Sequence, residues 1–310
     1  MSSMFIAGDW GSTRLRLYLC DELEVLDRKP GPGAVGASGS HASVLQSLIR
    51  PWLEQHGPLP VVLCGMVGSR NGWVETPYVA CPADAAALRA QLVRFQADGL
   101  DIGIVPGLKV MASHDAPDVM RGEETQVIGA LSLLPALARG RHVLAHPGTH
   151  TKWVQVEDGR IVNVQTAFTG ELFALLRQHG ALTNLADGEA VEAETEGFDD
   201  GLDRQETTAA SGLLHQMFET RTRQLLDGWS GARAVNFLSG LLIASDVAGA
   251  LTQFDPAGAP ITLVGEPQLT ERYGRALRRK GVSSQVLTGE ACALAGLRAL
   301  FQSQTQGDPS

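Results

Sequence analysis

Two kinds of residue in this chain can do chemistry together: carboxylates at the ends of apolar runs, and small polar residues just after them. In FIAGDWGSTRLRLYL, residues 5 to 19, Asp9 ends an apolar strand and Gly11, Ser12 and Thr13 follow in a tight turn. Backbone N–H groups and hydroxyls in such a turn cradle phosphate oxygens, and the carboxylate suits a magnesium ion held through water. An ordinary hairpin, in which Asp9 and Ser12 satisfy local backbone groups, explains the same residues equally well. The segment VLAHPGTHTKWVQV, residues 143 to 156, repeats the pattern with Gly148, Thr149, His150, Thr151 and Lys152. Two such hairpins facing each other across a cleft would grip the β- and γ-phosphates of a nucleotide from both sides. Lys152 either supplies charge there or is a solvated side chain.

Phosphoryl transfer to a hydroxyl also needs a carboxylate that orients or deprotonates the acceptor. DVMRGEETQVIGAL, residues 118 to 131, offers Glu123 and Glu124 at the start of an expected helix. Acidic residues are favoured at that position by the helix dipole alone, which is the plain alternative. Arg121 beside them suits an anionic substrate or a transferring phosphate. A third group lies in the loop after the strand VVLCG, within CGMVGSRNGWVETPYVACPA, residues 64 to 83. Ser69, Arg70, Trp73 and Tyr78 fit a polyol bearing a carboxylate, with arginine for the bidentate anion and aromatic faces for the carbon skeleton. The alternative is that Trp73 and Tyr78 only anchor a long loop. Gly31, Gly33 and Gly36 match GxGxxG, but Pro30 and Pro32 and a late helix start argue against a dinucleotide turn. His142, His146 and His150 are spaced by four, yet Pro147 and Gly148 break any helix that would gather them around zinc.

The elements that must position these residues read strand, strand, strand, helix, strand from the N-terminus, and the order starts again at residue 141. Strands alternating with helices give an α/β class, and the two halves read as a divergent duplication. Helical periodicity over 124 to 138 ends near Arg139-Gly140, which sets expected domains of 1–139 and 140–310. The acidic stretch from Asp187 to Asp203, with Glu189, Glu192, Glu194, Glu196, Asp199 and Asp200, reads as a solvated surface element. A net charge of -9 and a pI near 5.4 give no broad basic surface and argue against a nucleic-acid partner. Cys20, Cys64, Cys81 and Cys292 show no CxxC spacing and fit a reducing compartment. The chain shows no signal sequence and no run of about 18 apolar residues, so a soluble cytoplasmic protein without a membrane partner is expected.

DWGSTRLRLYL, GMVGSRNGW with ETPYVACPA, VPGL at 105 to 108, DVMRGEETQ, PGTHTKW, FTGELFALL at 168 to 176 and FLSGLLIASDV at 237 to 247 occur in that order over nearly the whole chain. Together they resemble the 2-dehydro-3-deoxygalactonokinase family, within the sugar kinase, Hsp70 and actin superfamily. The resemblance implies two ribonuclease H-like domains around a central nucleotide cleft, the last helix from Glu290 packing back on the first domain through Ala291, Leu294, Leu297 and Leu300. It implies ATP and Mg2+ as cofactors, and phosphorylation of 2-dehydro-3-deoxy-D-galactonate at its 6-hydroxyl in D-galactonate catabolism. By position, Asp9, Gly11, Ser12 and Thr13 match the first phosphate motif, and Gly148, Thr149 and Lys152 the second. The superfamily's catalytic carboxylate usually lies in the segment between the halves, making Glu123 the first choice and Glu124 the second. Gly265 and Glu266, in VGEPQLTERYGRAL, fall where the adenosine motif is expected, without its usual double glycine. The partners implied are a sugar acid and ATP, with a homodimer allowed. A nucleotide-binding sensor of the actin-like fold, or a phosphotransferase acting on another acidic sugar or on polyphosphate, remains the alternative.

Overall fold

A meander of three antiparallel strands begins the chain: β1 (Phe5–Trp10), β2 (Arg14–Cys20) and β3 (Val25–Pro32). The computed structural model describes residues 4–21, 24–111, 116–182, 196–208 and 211–302. Helix α1 (His41–His56) turns Leu45, Ile49 and Trp52 inward at helical spacing and leads to β4 (Val61–Cys64), which pairs parallel to β1. There follow a 3-10 turn at Met66–Gly68, β5 (Tyr78–Ala80), α2 (Ala85–Ala90), β6 (Val93–Ala97), β7 (Leu100–Ile104), β8 (Gly107–Met111), β9 (Pro117–Met120) and α3 (Glu123–Leu133). The main sheet runs β3-β2-β1-β4-β7-β6, and β5-β8-β9 form a small second one.

The pattern then recurs. Strands β10 (Arg141–His146), β11 (Thr151–Glu157) and β12 (Arg160–Ala167) lead to α4 (Thr169–His179), α5 (Glu196–Thr208), α6 (Leu213–Leu226) and α7 (Gly231–Gln253). They are followed by β13 (Ile261–Val264), α8 (Pro267–Arg279), β14 (Ser284–Leu287) and α9 (Gly289–Gln302). This sheet runs β12-β11-β10-β13-β14, with β13 parallel to β10 as β4 is to β1. The shared strand order is that of a duplicated α/β unit. Two compact units result: residues 1–141, 154–164 and 287–310, and residues 142–153 and 165–286.

In the first unit Ile6, Trp10, Leu15, Leu17, Leu63 and Ile104 form the core with the inner face of α1. Helix α3 ends at Leu133, short of the expected 138, because Pro135 has no N–H to continue the ladder and pushes Leu134 out of helical geometry; a 3-10 turn spans Pro135–Ala138. Helix α9 buries Cys292, Ala293, Gly296, Leu297 and Leu300 and meets α3 at Cys292 and Gly296, whereas Ala291 is exposed and Leu294 half-buried. The buried stripe differs from the expected one because the two backbones meet at glycines: a Cβ on Gly296 would lie 1.9 Å from the Thr125 carbonyl oxygen.

In the second unit α7 is the core helix. Its apolar run is long enough to cross a membrane by length and composition, contrary to the reading of the sequence, but 72% of that window is buried within the protein. Its Ile243, Ala244 and Val247 share one core with Val143, Trp153, Phe198 and Leu263. Of the acidic stretch, residues 187 to 195 lie outside the described residues. Asp199 and Asp200 on α5 are not simply solvated. Asp200 pairs with Arg233 at 2.7 Å, and Asp199 with Arg275 and, at 3.3 Å, with Arg279.

Candidate active site

Parallel pairing puts Asp9 of β1 opposite Cys64 of β4, at the carboxyl ends of both strands, where open α/β sheets bind ligands. The Cys64 Sγ lies 3.9 Å from Asp9 Oδ1, and the Arg16 guanidinium 3.5 Å from Oδ2. Burial raises the Asp9 carboxyl above its ordinary value, with Arg16 opposing the shift. In the turn that follows, Ser12 and Thr13 are exposed and Gly11 N–H donates to Arg14 O at 2.9 Å. The turn is strapped from outside. Ala34 N–H donates to Gly11 O at 2.9 Å and Val35 N–H to Ser12 O at 3.3 Å. This needs a glycine at 33, since a Cβ there would lie 2.2 Å from Ser12 O. The middle glycine of the GxGxxG match therefore holds the first hairpin turn.

The start of α3 brings the paired glutamates to the same place. Glu124 is fully buried, with Oε2 accepting from Gly122 N–H at 2.7 Å and Oε1 from the Thr125 hydroxyl at 3.1 Å. Burial, aided by the charge of Glu123, pushes its carboxyl up to about 8. Glu123 is half-buried and accepts from Arg121 N–H at 3.2 Å. Cys64 feels Asp9, Glu124 and Glu123 together; burial first, then these charges, push its thiol well up and keep it protonated. The glutamates follow directly on Gly122, which meets the end of β4: a Cβ on Gly122 would lie 3.3 Å from the Cα of Gly65, the residue after Cys64. Among the described residues no three His, Cys, Asp or Glu side chains form a metal-binding group.

The loop residues separate into two sets. Arg121 is committed within the protein: Nη1 bonds the Thr76 hydroxyl, Nη2 donates to Thr76 O at 2.9 Å, and the guanidinium lies 4.4 Å over the Tyr78 ring. Trp73 stacks on His41 and meets Trp10 and Phe95 edge-on, at 5.2 to 6.2 Å, which makes it an anchor of the loop. Ser69 shapes the turn, its N–H donating to Met66 O and its carbonyl accepting from Gly72 N–H. Arg70, by contrast, is exposed and makes no hydrogen bond or ion pair among the described residues.

In the second unit the turn between β10 and β11 has the same build. Thr149 and His150 are exposed, Gly148 is half-buried, and Thr151 and Lys152 are buried. Lys152 is not solvated: its Nζ donates to the Thr166 hydroxyl at 2.7 Å. His150 stacks on Phe168 and bonds Glu171 at 2.5 Å. Helix α4 straps this turn, with Glu171 N–H donating to Thr149 O at 2.8 Å and Gly170 fitting where a Cβ would lie 2.2 Å from Gly148 O. Beside Gly148 opens a cavity of about 210 Å³ lined by Thr169, Ser239, Gln268, Leu269, Arg272 and Tyr273, among others. Gly265 follows β13 near Pro147, and exposed Glu266 precedes α8; neither lines the cavity. Ser239, Gln268 and Arg272 were not singled out from sequence. Their segments carry motifs, but only the packing of α7 against α8 turns these side chains to one wall.

Residues 9–300 match the family described as 2-keto-3-deoxy-galactonokinase. The chain belongs to the 2-keto-3-deoxy-galactonokinase family. It is 38% identical to the 2-dehydro-3-deoxygalactonokinase of Escherichia coli K12, covering 97% of this chain and 98% of that one. It is 34% identical to a probable 2-dehydro-3-deoxygalactonokinase of Rhizobium meliloti, covering 95% of both. A crystal structure of a putative 2-dehydro-3-deoxygalactonokinase from Sinorhizobium meliloti superposes with a TM-score of 0.86 at 32% identity, over 98% of this chain and all of that one. The α/β fold expected from the sequence is the fold observed and is shared with that structure, and the family match takes in both hairpin turns.

Proposed function

We propose that this member of the galactonokinase family transfers the γ-phosphoryl group of ATP to the 6-hydroxyl of 2-dehydro-3-deoxy-D-galactonate, acting in the cytoplasm in D-galactonate catabolism. The observation that carries this reading is that Asp9 ends β1 opposite Cys64 while Gly122, just before Glu123 and Glu124, meets Gly65 at the end of β4, in a chain of that family.

Glu123, the more accessible of the pair, meets the acceptor hydroxyl. As the new O–P bond forms and the bond from the γ-phosphorus to the ADP oxygen breaks, the hydroxyl proton passes to Glu123. Glu124 is fully enclosed and holds its proton at neutral pH, so it serves the turn at Gly122. Arg70 takes the sugar-acid carboxylate, because Arg121 already spends both terminal nitrogens on Thr76. The exposed rim of Tyr78 and the Ser69 turn shape the same loop. The hard carboxylate oxygens of Asp9 fit Mg2+, and with no three-ligand group among the described residues the remaining positions would fall to water and phosphate. Bound there, the ion would offset phosphate charge. Gly11, Ser12 and Thr13, and Gly148, Thr149, His150, Thr151 and Lys152, form or support the phosphate turns. The cavity beside Gly148 accommodates the nucleoside, and Gly265 and Glu266 lead into the helix that walls it.

The test is ADP release by the purified protein with ATP, Mg2+ and a panel of sugar acids. Release should depend on the keto-deoxy galactonate, and Arg70→Ala should raise its KM by roughly 10- to 100-fold, the loss of one charge-assisted contact. A folded protein that releases no ADP with any acid, or that serves another acid far better, contradicts the proposal.

A further inference from the structure

Asp246 lies on α7, two helical turns past Ser239, and none of the chemistry above uses it. Its carboxylate nevertheless ties together the parts of the second hairpin. Oδ1 accepts from the Trp153 indole N–H at 2.8 Å, and Oδ2 from the Thr169 hydroxyl at 2.7 Å and the Tyr273 hydroxyl at 2.5 Å. With the Tyr273 proton directed to Asp246, the Thr151 hydroxyl donates to the Tyr273 oxygen at 2.7 Å. Thr151 and Trp153 belong to β11, immediately after the turn. Thr169 begins α4, whose next two residues strap that turn from the other side. Tyr273 belongs to α8 and, with Thr169, lines the cavity beside Gly148.

We infer that Asp246 is a positioning residue that sets the second phosphate turn and the wall of the adjoining cavity in one geometry. The inference rests on the reading that this turn binds nucleotide. Three donors on one half-buried carboxylate need a full set of acceptor lone pairs. A carboxamide of the same shape would turn an N–H toward one of those donors, and buried mismatches of this kind are costly. The network touches only the second unit, so its loss should weaken nucleotide binding and leave the sugar acid alone.

Kinetics and MgADP titration of the full chain carrying Asp246→Asn or Tyr273→Phe provide the test. Asp246→Asn should raise KM for ATP and the MgADP dissociation constant by about tenfold or more, with KM for the sugar acid within about twofold. Tyr273→Phe removes the bond to Asp246 and the link to Thr151 while leaving the Trp153 and Thr169 bonds, and should raise the same two quantities by roughly threefold. If Asp246→Asn does not fold, the Tyr273→Phe result decides alone. Nucleotide constants at the wild-type value, or both substrates weakened equally, would overturn the inference. Failure of the nucleotide-binding reading looks different, since the unaltered protein itself would then bind no MgADP.

Discussion

The two hairpin turns were built by one solution and now differ in chemistry. Each is strapped by a neighbouring segment whose backbone approaches so closely that only glycine fits, Gly33 against Ser12 and Gly170 against Gly148, both at 2.2 Å for an added Cβ. The straps are unlike: a loop after β3 holds the first, and the first turn of α4 holds the second. Aligning Gly11 with Gly148 sets Asp9 opposite His146. Asp9 keeps 17% of its side chain exposed and lies beside two glutamates, whereas burial pushes the His146 ring down to about 3, so it is neutral at working pH. The duplicated element thus carries a carboxylate on one side and an uncharged ring at the matching position on the other.

Displacing each strap by the same atom is the strongest way to break that comparison. Gly33→Ala should lower kcat by about 10²-fold, since a misplacement of roughly 1 Å near reacting atoms costs that much. Gly170→Ala should act on KM for ATP, by about tenfold, and less on kcat. Steady-state kinetics on variants shown to be folded by circular dichroism checks this, and equal kcat losses would remove the distinction between the turns.

A smaller effect sharpens the picture of the first site. The folded-state value of Glu124, about 8, lies above that of an unfolded glutamate. Its contribution is therefore fully present below pH 4 to 5 and is lost as pH rises through 8, so wild-type stability should fall across that window. Gln keeps the bond from Gly122 N–H through its oxygen and donates its own N–H to the Thr125 hydroxyl oxygen, whose proton turns away, all without titrating. Glu124→Gln should flatten the decline, by on the order of a few kcal/mol at pH 9, in denaturant titrations run from pH 5 to 9. A wild-type profile with no slope between pH 5 and 8 would contradict the buried, protonated carboxyl.

Much of this was legible in the sequence, for a physical reason. Apolar runs such as FIAGDW and VLAH that stop at small polar residues can only be strands ending in tight turns, and both hairpins stand where that pattern puts them. Glu123 and Glu124 begin a helix because acidic side chains suit its N-terminus. What was not legible depends on partners distant in sequence. GxGxxG is rightly not a dinucleotide turn, but that Gly33 must approach Ser12, 21 positions away, follows from the β2–β3 register and not from local pattern. Arg121 looked free for substrate until the fold delivered Thr76 to its guanidinium. The stripe of α9 was misjudged because apolar periodicity marks large side chains, while the contact with α3 is made through glycines.

Glu123→Gln probes the proposed proton transfer from the acceptor hydroxyl to Glu123 through the rate of sugar-acid-dependent ADP release. A kcat lower by about 10²- to 10⁴-fold, with KM for ATP within about twofold, is the predicted result. Turnover within tenfold of the unaltered enzyme would contradict it.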